Sequence, residues 1–189
     1  MKNSDSLTEN RFKAGDTAAI GHLYEATSDR LFRYGMKLLD NEDLVKDCIH
    51  DTFLKFLENR VEIPEDKSVL FYLFTILRNL IIDTIRRNEK VVHVVPLELP
   101  FHVEFEWNRD EDPSEEDMRE RFEELVAVLS DRQKEAIYLR FYHDMSIDEI
   151  SAILGITHQS VSNLMHRALE KIRAGMDVHT FLILFLSCC

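Results

Sequence analysis

A chain of 189 residues with five glycines, four prolines and 45% apolar side chains is long enough for one medium domain or two small ones, and its composition favours an all-helical build. Its three cysteines, Cys48, Cys188 and Cys189, form no CxxC pair and no bridge framework, which points to a reducing, cytoplasmic setting. The formal net charge of −12 argues against tight non-specific binding to nucleic acid, the polar opening Met1–Arg11 does not read as a signal peptide, and the apolar runs are too short for direct membrane insertion.

In chain order, residues 1–15 form a polar tail and residues 16–90 a first helical domain. Thr17–Leu39 carries Ile20, Leu23, Tyr24, Leu31 and Leu38 on one stripe, and an interruption near Ser28–Asp29 would make four helices of this half. Glu42–Asn59 turns Val45, Cys48, Ile49, Phe53 and Phe56 toward a core. Ser68–Asn88 follows a loop containing Pro64, with Ser68 as its cap, and is apolar nearly all round in its first half, as a central buried helix should be. Its second half exposes Asn79, Asp83, Arg86 and Arg87, a stripe that Lys90 continues.

Residues 91–114 break the periodicity. Pro96, Pro100 and Pro113 with a dense acidic run indicate a linker, although Phe101, Phe105 and Trp107 are too many aromatic residues for a solvated tether and should dock on something. A capping box at Ser114 and Asp117 opens a helix with Phe122, Leu125, Val126 and Leu129 inward, so a second domain runs over residues 115–176. Between Glu98 and Glu124 there are twelve acidic residues against three basic ones, whereas Arg78–Lys90 holds four basic against two acidic, and His158–Arg173 three against one. Attraction to phosphate depends on such local patches, so overall acidity does not exclude DNA binding.

The second domain spells a helix-turn-helix. Ser146 and Glu149 make a capping box, Ile150, Ile153 and Leu154 an apolar face, and Gly155 a stop that needs the left-handed conformation. Ile156 plugs the corner and Thr157 caps a helix whose Val161, Leu164, Met165, Ala168, Leu169 and Ile172 face inward. Two amphipathic helices around a glycine occur in any bundle. What favours DNA is the opposite face, Gln159, Ser160, Asn163, His166 and Arg167, short hydrogen-bonding side chains with an arginine instead of the usual Glu/Lys mixture. Residues 177–189 form an apolar tail whose Leu186 rules out a C-terminal prenylation signal; it is expected to pack on the second domain, the alternative being a handle for an inhibitory partner.

Two blocks, VKDCIHDTFLKFLENR with LFYLFTILRNLIIDTIRR, and LSDRQKEAIYLRF with SIDEISAILGITHQSVSNLMHRALEKIR, agree in order and separation. Together they resemble the two-domain extracytoplasmic-function (ECF) sigma factors of bacterial RNA polymerase, over nearly all of Ala18–Arg173. The resemblance implies an all-α fold of two small domains, sigma-two-like and sigma-four-like, joined by an acidic linker. It implies as partners core polymerase, through its β′ clamp and β flap, promoter DNA, and an anti-sigma factor, often membrane-anchored in this family. On that resemblance Asp47, His50, Asp51, Phe53, Leu54 and Glu58 meet the polymerase, an acidic and apolar stripe suited to a basic partner. Arg78, Asn79, Asp83, Arg86, Arg87 and Lys90 face the minus-ten element, and the Arg60–Lys67 loop pockets an extruded base. Thr157, His158, Gln159, Ser160, Ser162, Asn163, His166 and Arg167 meet the minus-thirty-five element, with Arg167 on phosphate or guanine. The acidic linker would thread toward the polymerase active centre and mimic nucleic acid there. Three positions depart from the family: His50 stands where Gln is usual, Leu57 where Trp is frequent, and Ser151 where Ala is usual.

An enzyme is not expected. There is no HExxH, no phosphate-cradling glycine loop and no GxSxG, and His22, His93, His102 and His143 lack ligand spacing, so no catalytic residue, metal or cofactor is assigned. The competing readings are an independent helix-turn-helix regulator whose first half senses a ligand or dimerises, and an interaction protein with the fold but no promoter activity.

Overall fold

The computed structural model describes residues 19–58, 68–88, 100–101, 124 and 126–175. Among these there are helices and no strand, in two compact units, Met1–Leu97 and Glu98–Cys189. The first unit contains α1 (Ala19–Leu38), α2 (Glu42–Glu58) and α3 (Val69–Asn88). The second contains α4 (Asp131–Ile137), which runs on into a wider π-helical turn at Tyr138–Tyr142, then α5 (Ile147–Leu154) and α6 (His158–Gly175). The boundaries expected for tail, domains and linker fall on residues outside the described ones, as do the Arg60–Lys67 loop, the start of the helix expected from Ser114, and the apolar C-terminal tail.

The first unit is an apolar core wrapped by three helices. From α1 it takes Leu23, Leu31, Tyr34 and Leu38, from α2 Val45, Cys48, Ile49, Phe53 and Phe56, and from α3 Val69, Leu70, Leu73, Phe74, Leu77, Leu80 and Ile81. The Tyr34 and Phe74 rings meet at 4.7 Å between centroids, tilted, as aromatic quadrupoles prefer. Helix α1 is continuous through Ser28–Asp29, so the expected interruption is absent, and the described residues of this half form three helices. The reason is local. Thr27 donates its hydroxyl to the Leu23 carbonyl at 2.7 Å, a back-bond made inside a helix, and Asp29 lies on the solvent side within 3.7 Å of Arg33, a pair one turn apart.

Side chains at the helix starts satisfy otherwise orphaned N–H groups. Asn41 Oδ1 accepts from the Leu44 amide at 3.0 Å to open α2, and Ser68 Oγ from the Leu70 amide at 3.1 Å to open α3. Helices α1 and α2 approach closely at Gly35, where an added Cβ would lie 2.6 Å from Val45 Cγ1. Only glycine fits there.

In the second unit Leu129, Ala168 and Ile172 form a core cluster with Ile137 packed against it. Ser130 and Gln133 make a full capping box on α4, a start signal not anticipated from the sequence. The turn after α4 is closed by Arg140, whose Nη1 donates to the Met145 carbonyl at 2.8 Å, and by the Met145 amide donating to the Leu139 carbonyl at 3.2 Å. Lys171 Nζ donates to the Val128 carbonyl at 2.8 Å and to Gln133 Oε1 at 3.1 Å, tying α6 to the start of α4.

Candidate functional site

The helix-turn-helix forms as its residues dictate. Ser146 Oγ accepts from the Glu149 amide at 3.3 Å, while Glu149 Oε2 accepts from the Ser146 amide at 2.9 Å, completing the capping box. Ile150, Ile153 and Leu154 are buried. Gly155 sits at φ 65°, ψ 34°, and the Ile156 amide closes back onto the Ser151 carbonyl at 3.1 Å. Ile156 itself is only half-buried. Thr157 Oγ1 accepts from the Ser160 amide at 3.2 Å and opens α6.

The inward stripe of α6 buries Val161, Met165, Ala168 and Ile172, with Leu164 and Leu169 half-buried at its margins. Of the eight residues expected at the upstream element, Thr157, His158, Gln159, Ser160, Asn163, His166 and Arg167 are exposed and Ser162 is half-buried. Several are already partnered. Thr157 and Ser160 hold each other's hydroxyls at 2.8 Å, Gln159 Nε2 donates to Asn163 Oδ1 at 3.1 Å, and His166 Nδ1 lies 3.2 Å from Glu170 Oε2. His158 Nε2 lies 3.9 Å from Asp148 Oδ1 across the turn. Arg167 makes no ion pair with any described residue, so its guanidinium is available to a phosphate or a guanine edge.

On α2, Asp47, His50, Asp51, Leu54 and Glu58 are exposed along one face at helical spacing, opposite the buried Val45, Cys48, Ile49, Phe53 and Phe56. Leu54 is 45% exposed within this acidic face. Phe53, expected beside them, is instead 6% exposed and lies on the apolar stripe with the core residues. Tyr24 of α1 lies against the Phe53 ring at 4.9 Å and is 47% exposed, so the aromatic surface here is that of Tyr24, whose sequence stripe points to the core.

On α3, Asn79, Arg86 and Arg87 are exposed and Asp83 is half-buried, with Arg86 Nη1 3.4 Å from Asp83 Oδ1. Arg78 departs from the DNA-facing position expected of it. It is 6% exposed and engaged within the protein, so its guanidinium is not offered to DNA. Position in the helix decides this: one residue before Asn79, it falls on the core side with Leu77 and Ile81. Lys90 lies outside the described residues. Where the faces of α2 and α3 meet, Cys48 Sγ is 3.5 Å from Thr84 Oγ1. Burial, reinforced by the carboxylates of Asp51 and Asp47, pushes this thiol's pKa above its ordinary value, against the opposing hydrogen bond to Thr84 and the charge of Arg87. Among the described residues no cluster of His, Cys, Asp and Glu could hold a metal ion, and no helix is long and apolar enough to cross a membrane.

Each unit has a counterpart among known proteins. Residues 23–91 match the family model of sigma-70 region 2, and residues 125–174 that of sigma-70 region 4. Over 163 residues the chain is 25% identical to the ECF RNA polymerase sigma factor BldN of Streptomyces coelicolor, a match covering 86% of this chain and 62% of that protein. Over 165 residues it is 26% identical to the ECF RNA polymerase sigma factor SigL of Mycobacterium tuberculosis, covering 87% of this chain and 92% of SigL. The chain therefore spans less than two thirds of BldN and nearly all of SigL. Its fold is similar to that of the sigma factor RpoE from Bartonella quintana, solved in complex with the anti-sigma factor NepR, with a TM-score of 0.56 at 19% identity over 84% of this chain and 96% of that one. With one region in each compact unit, in the order the sequence blocks require, the chain belongs to the sigma-70 family of RNA polymerase sigma factors, as a member of its ECF group.

Proposed function

We propose that this chain docks on bacterial core RNA polymerase through the exposed acidic and apolar face of α2 and directs the enzyme to promoters with two elements. Asp47, His50, Asp51, Leu54 and Glu58 meet a basic surface of the polymerase clamp, with Leu54 supplying the apolar centre and the carboxylates the steering. Arg86, Arg87 and Lys90 hold backbone phosphates near the minus-ten element, with Asn79 and Asp83 beside them, and the Arg60–Lys67 loop takes up an extruded base. Helix α6 enters the major groove of the minus-thirty-five element, where Arg167 makes the strongest contact and Gln159 and Asn163 present amides to base edges. His158, Ser160 and His166 contribute to phosphate contacts around the groove, and the second unit meets the polymerase flap. The chain supplies recognition and melting and performs no catalysis itself. It works in the cytoplasm, and an anti-sigma factor holds it inactive until a signal releases it.

The observation that carries this reading is the coexistence, in one chain, of an exposed arginine with no ion pair among the described residues on a capped recognition helix, and an acidic face with a central exposed leucine on α2. A ligand-sensing half would not need the second. Run-off transcription with core polymerase, this protein and fragmented genomic DNA tests it. Discrete new transcripts, weakened by Arg167→Ala without loss of polymerase binding, are expected. A protein that neither bound core polymerase nor started transcripts would leave an independent regulator in its place.

A further inference from the structure

Phe101 lies in the stretch expected to link the two domains, yet it is 1% exposed, and its ring packs on Tyr138 at 5.5 Å between centroids. Tyr138 is itself built into an aromatic stack at the π-helical turn: it lies parallel to Tyr142 at 5.0 Å and edge-on to His143 at 4.9 Å. Pro100, next to it, is exposed, so the chain enters this seat from solvent. Phe101 and its seat both belong to the compact unit that begins at Glu98.

From this we infer that Phe101 is the anchor that fixes the linker to the helix-turn-helix unit, so that the chain joining the two DNA-reading units ends at residue 101. From the end of α3 at Asn88 to this anchor is thirteen residues, which span at most about 47 Å when fully extended. The second domain expected from the sequence begins at residue 115, twenty-seven residues from Asn88. Seating one phenylalanine thus reduces the joining chain to about half. The acidic residues from Glu104 to Glu124 follow this anchor in the sequence. Phe101 is a positioning residue: buried against Tyr138, it acts by limiting how far apart the two units reach and how strongly binding of one favours binding of the other.

This rests on the sigma reading only for its functional arm, so the test has two arms. In the free full-length chain, chymotrypsin should cut the Phe101–His102 bond at least ten-fold more slowly than in a synthetic peptide of residues 98–105. Equal rates would overturn the anchor whatever the protein does. In holoenzyme transcription, deleting residues 92–95 should lower open-complex formation several-fold, because the anchored chain is short, and Phe101→Ser in the deleted chain should restore much of it by releasing chain beyond residue 101. A phenylalanine that merely packs would give two losses that add, and that result, or a deletion without effect, would overturn the tether role. If no variant and no wild-type protein started transcripts, the sigma reading would fail while the cleavage arm still decided the anchor.

Discussion

The two units are held together by different means. The first rests on volume: three long helices close over large side chains such as Tyr34, Phe56 and Phe74, all fully buried. The helix-turn-helix of the second rests on punctuation, with capping boxes at Ser130 and Ser146, a left-handed glycine at 155, and side chains such as Arg140 and Lys171 that reach backbone carbonyls. The two helices that precede the recognition helix are short, α4 spanning seven residues and α5 eight, and short helices depend on their ends because each leaves the same number of orphaned backbone groups as a long one. In such a unit the caps and the glycine turn, together with the apolar residues that α5 and α6 bury, hold the recognition helix at a set angle.

Substitutions can break or sharpen that contrast, with amide hydrogen exchange resolving each unit. Phe74→Ala, which empties a fully buried site against Tyr34, should destabilise the first unit by about 3–5 kcal/mol and leave exchange in α5 and α6 unchanged. A similar loss in both units would refute their independence. Gly35→Ala forces a methyl against Val45 and should cost the first unit about 1–3 kcal/mol, seen as faster exchange in α1 and α2. Gly155→Ala and Ser146→Ala act on punctuation alone, at about 1–2 and about 1 kcal/mol respectively. Both should weaken binding of the upstream element more than an equal loss in the first unit does; if promoter binding tracked stability regardless of location, ends would have no special role in the second unit.

The smallest effect is one of pH. Because Cys48 is held above its ordinary pKa in the folded state, its contribution to the first unit is fully present below the ordinary thiol value and is lost as pH rises through the raised one. Cys48→Ala should flatten that alkaline decline in urea titrations followed by exchange in α2, and an unchanged slope would assign the decline to other groups.

Signals confined to a few residues are legible in the amino-acid sequence itself. The Ser146–Glu149 box, Gly155 and the Thr157 cap each depend on chemistry within one turn, and the α2 and α6 stripes on a single period. Features that depend on neighbours in space are not. Ser28 and Asp29 look like a break until Arg33 and the back-bonded Thr27 are seen beside them. Arg78 and Phe53 sit in motifs whose members look equivalent in one dimension, although adjacent positions on a helix point about 100° apart and one of two neighbours must face inward. Tyr24 reads as core because its stripe is apolar, yet it sits at the stripe's edge. The π-helical turn and the seat it makes for Phe101 have no sequence signature, since widening one turn depends on what packs against it.

Lys171 carries one consequence for how the second unit responds to salt. Among the described residues, Lys171 is the one of the three basic residues between His158 and Arg173 that is bound internally, to the Val128 carbonyl and Gln133. Each phosphate neutralised by a protein cation releases condensed counterions from the duplex and steepens the fall of affinity with salt by about 0.9 on a double logarithmic scale. With Lys171 committed to the protein, α6 has Arg167 and Arg173 to offer, and its share of the slope should be about −2 instead of about −3. The recognition helix would then release few ions on binding, and its preference among sequences would persist at ionic strengths that strip away more basic DNA-binding domains.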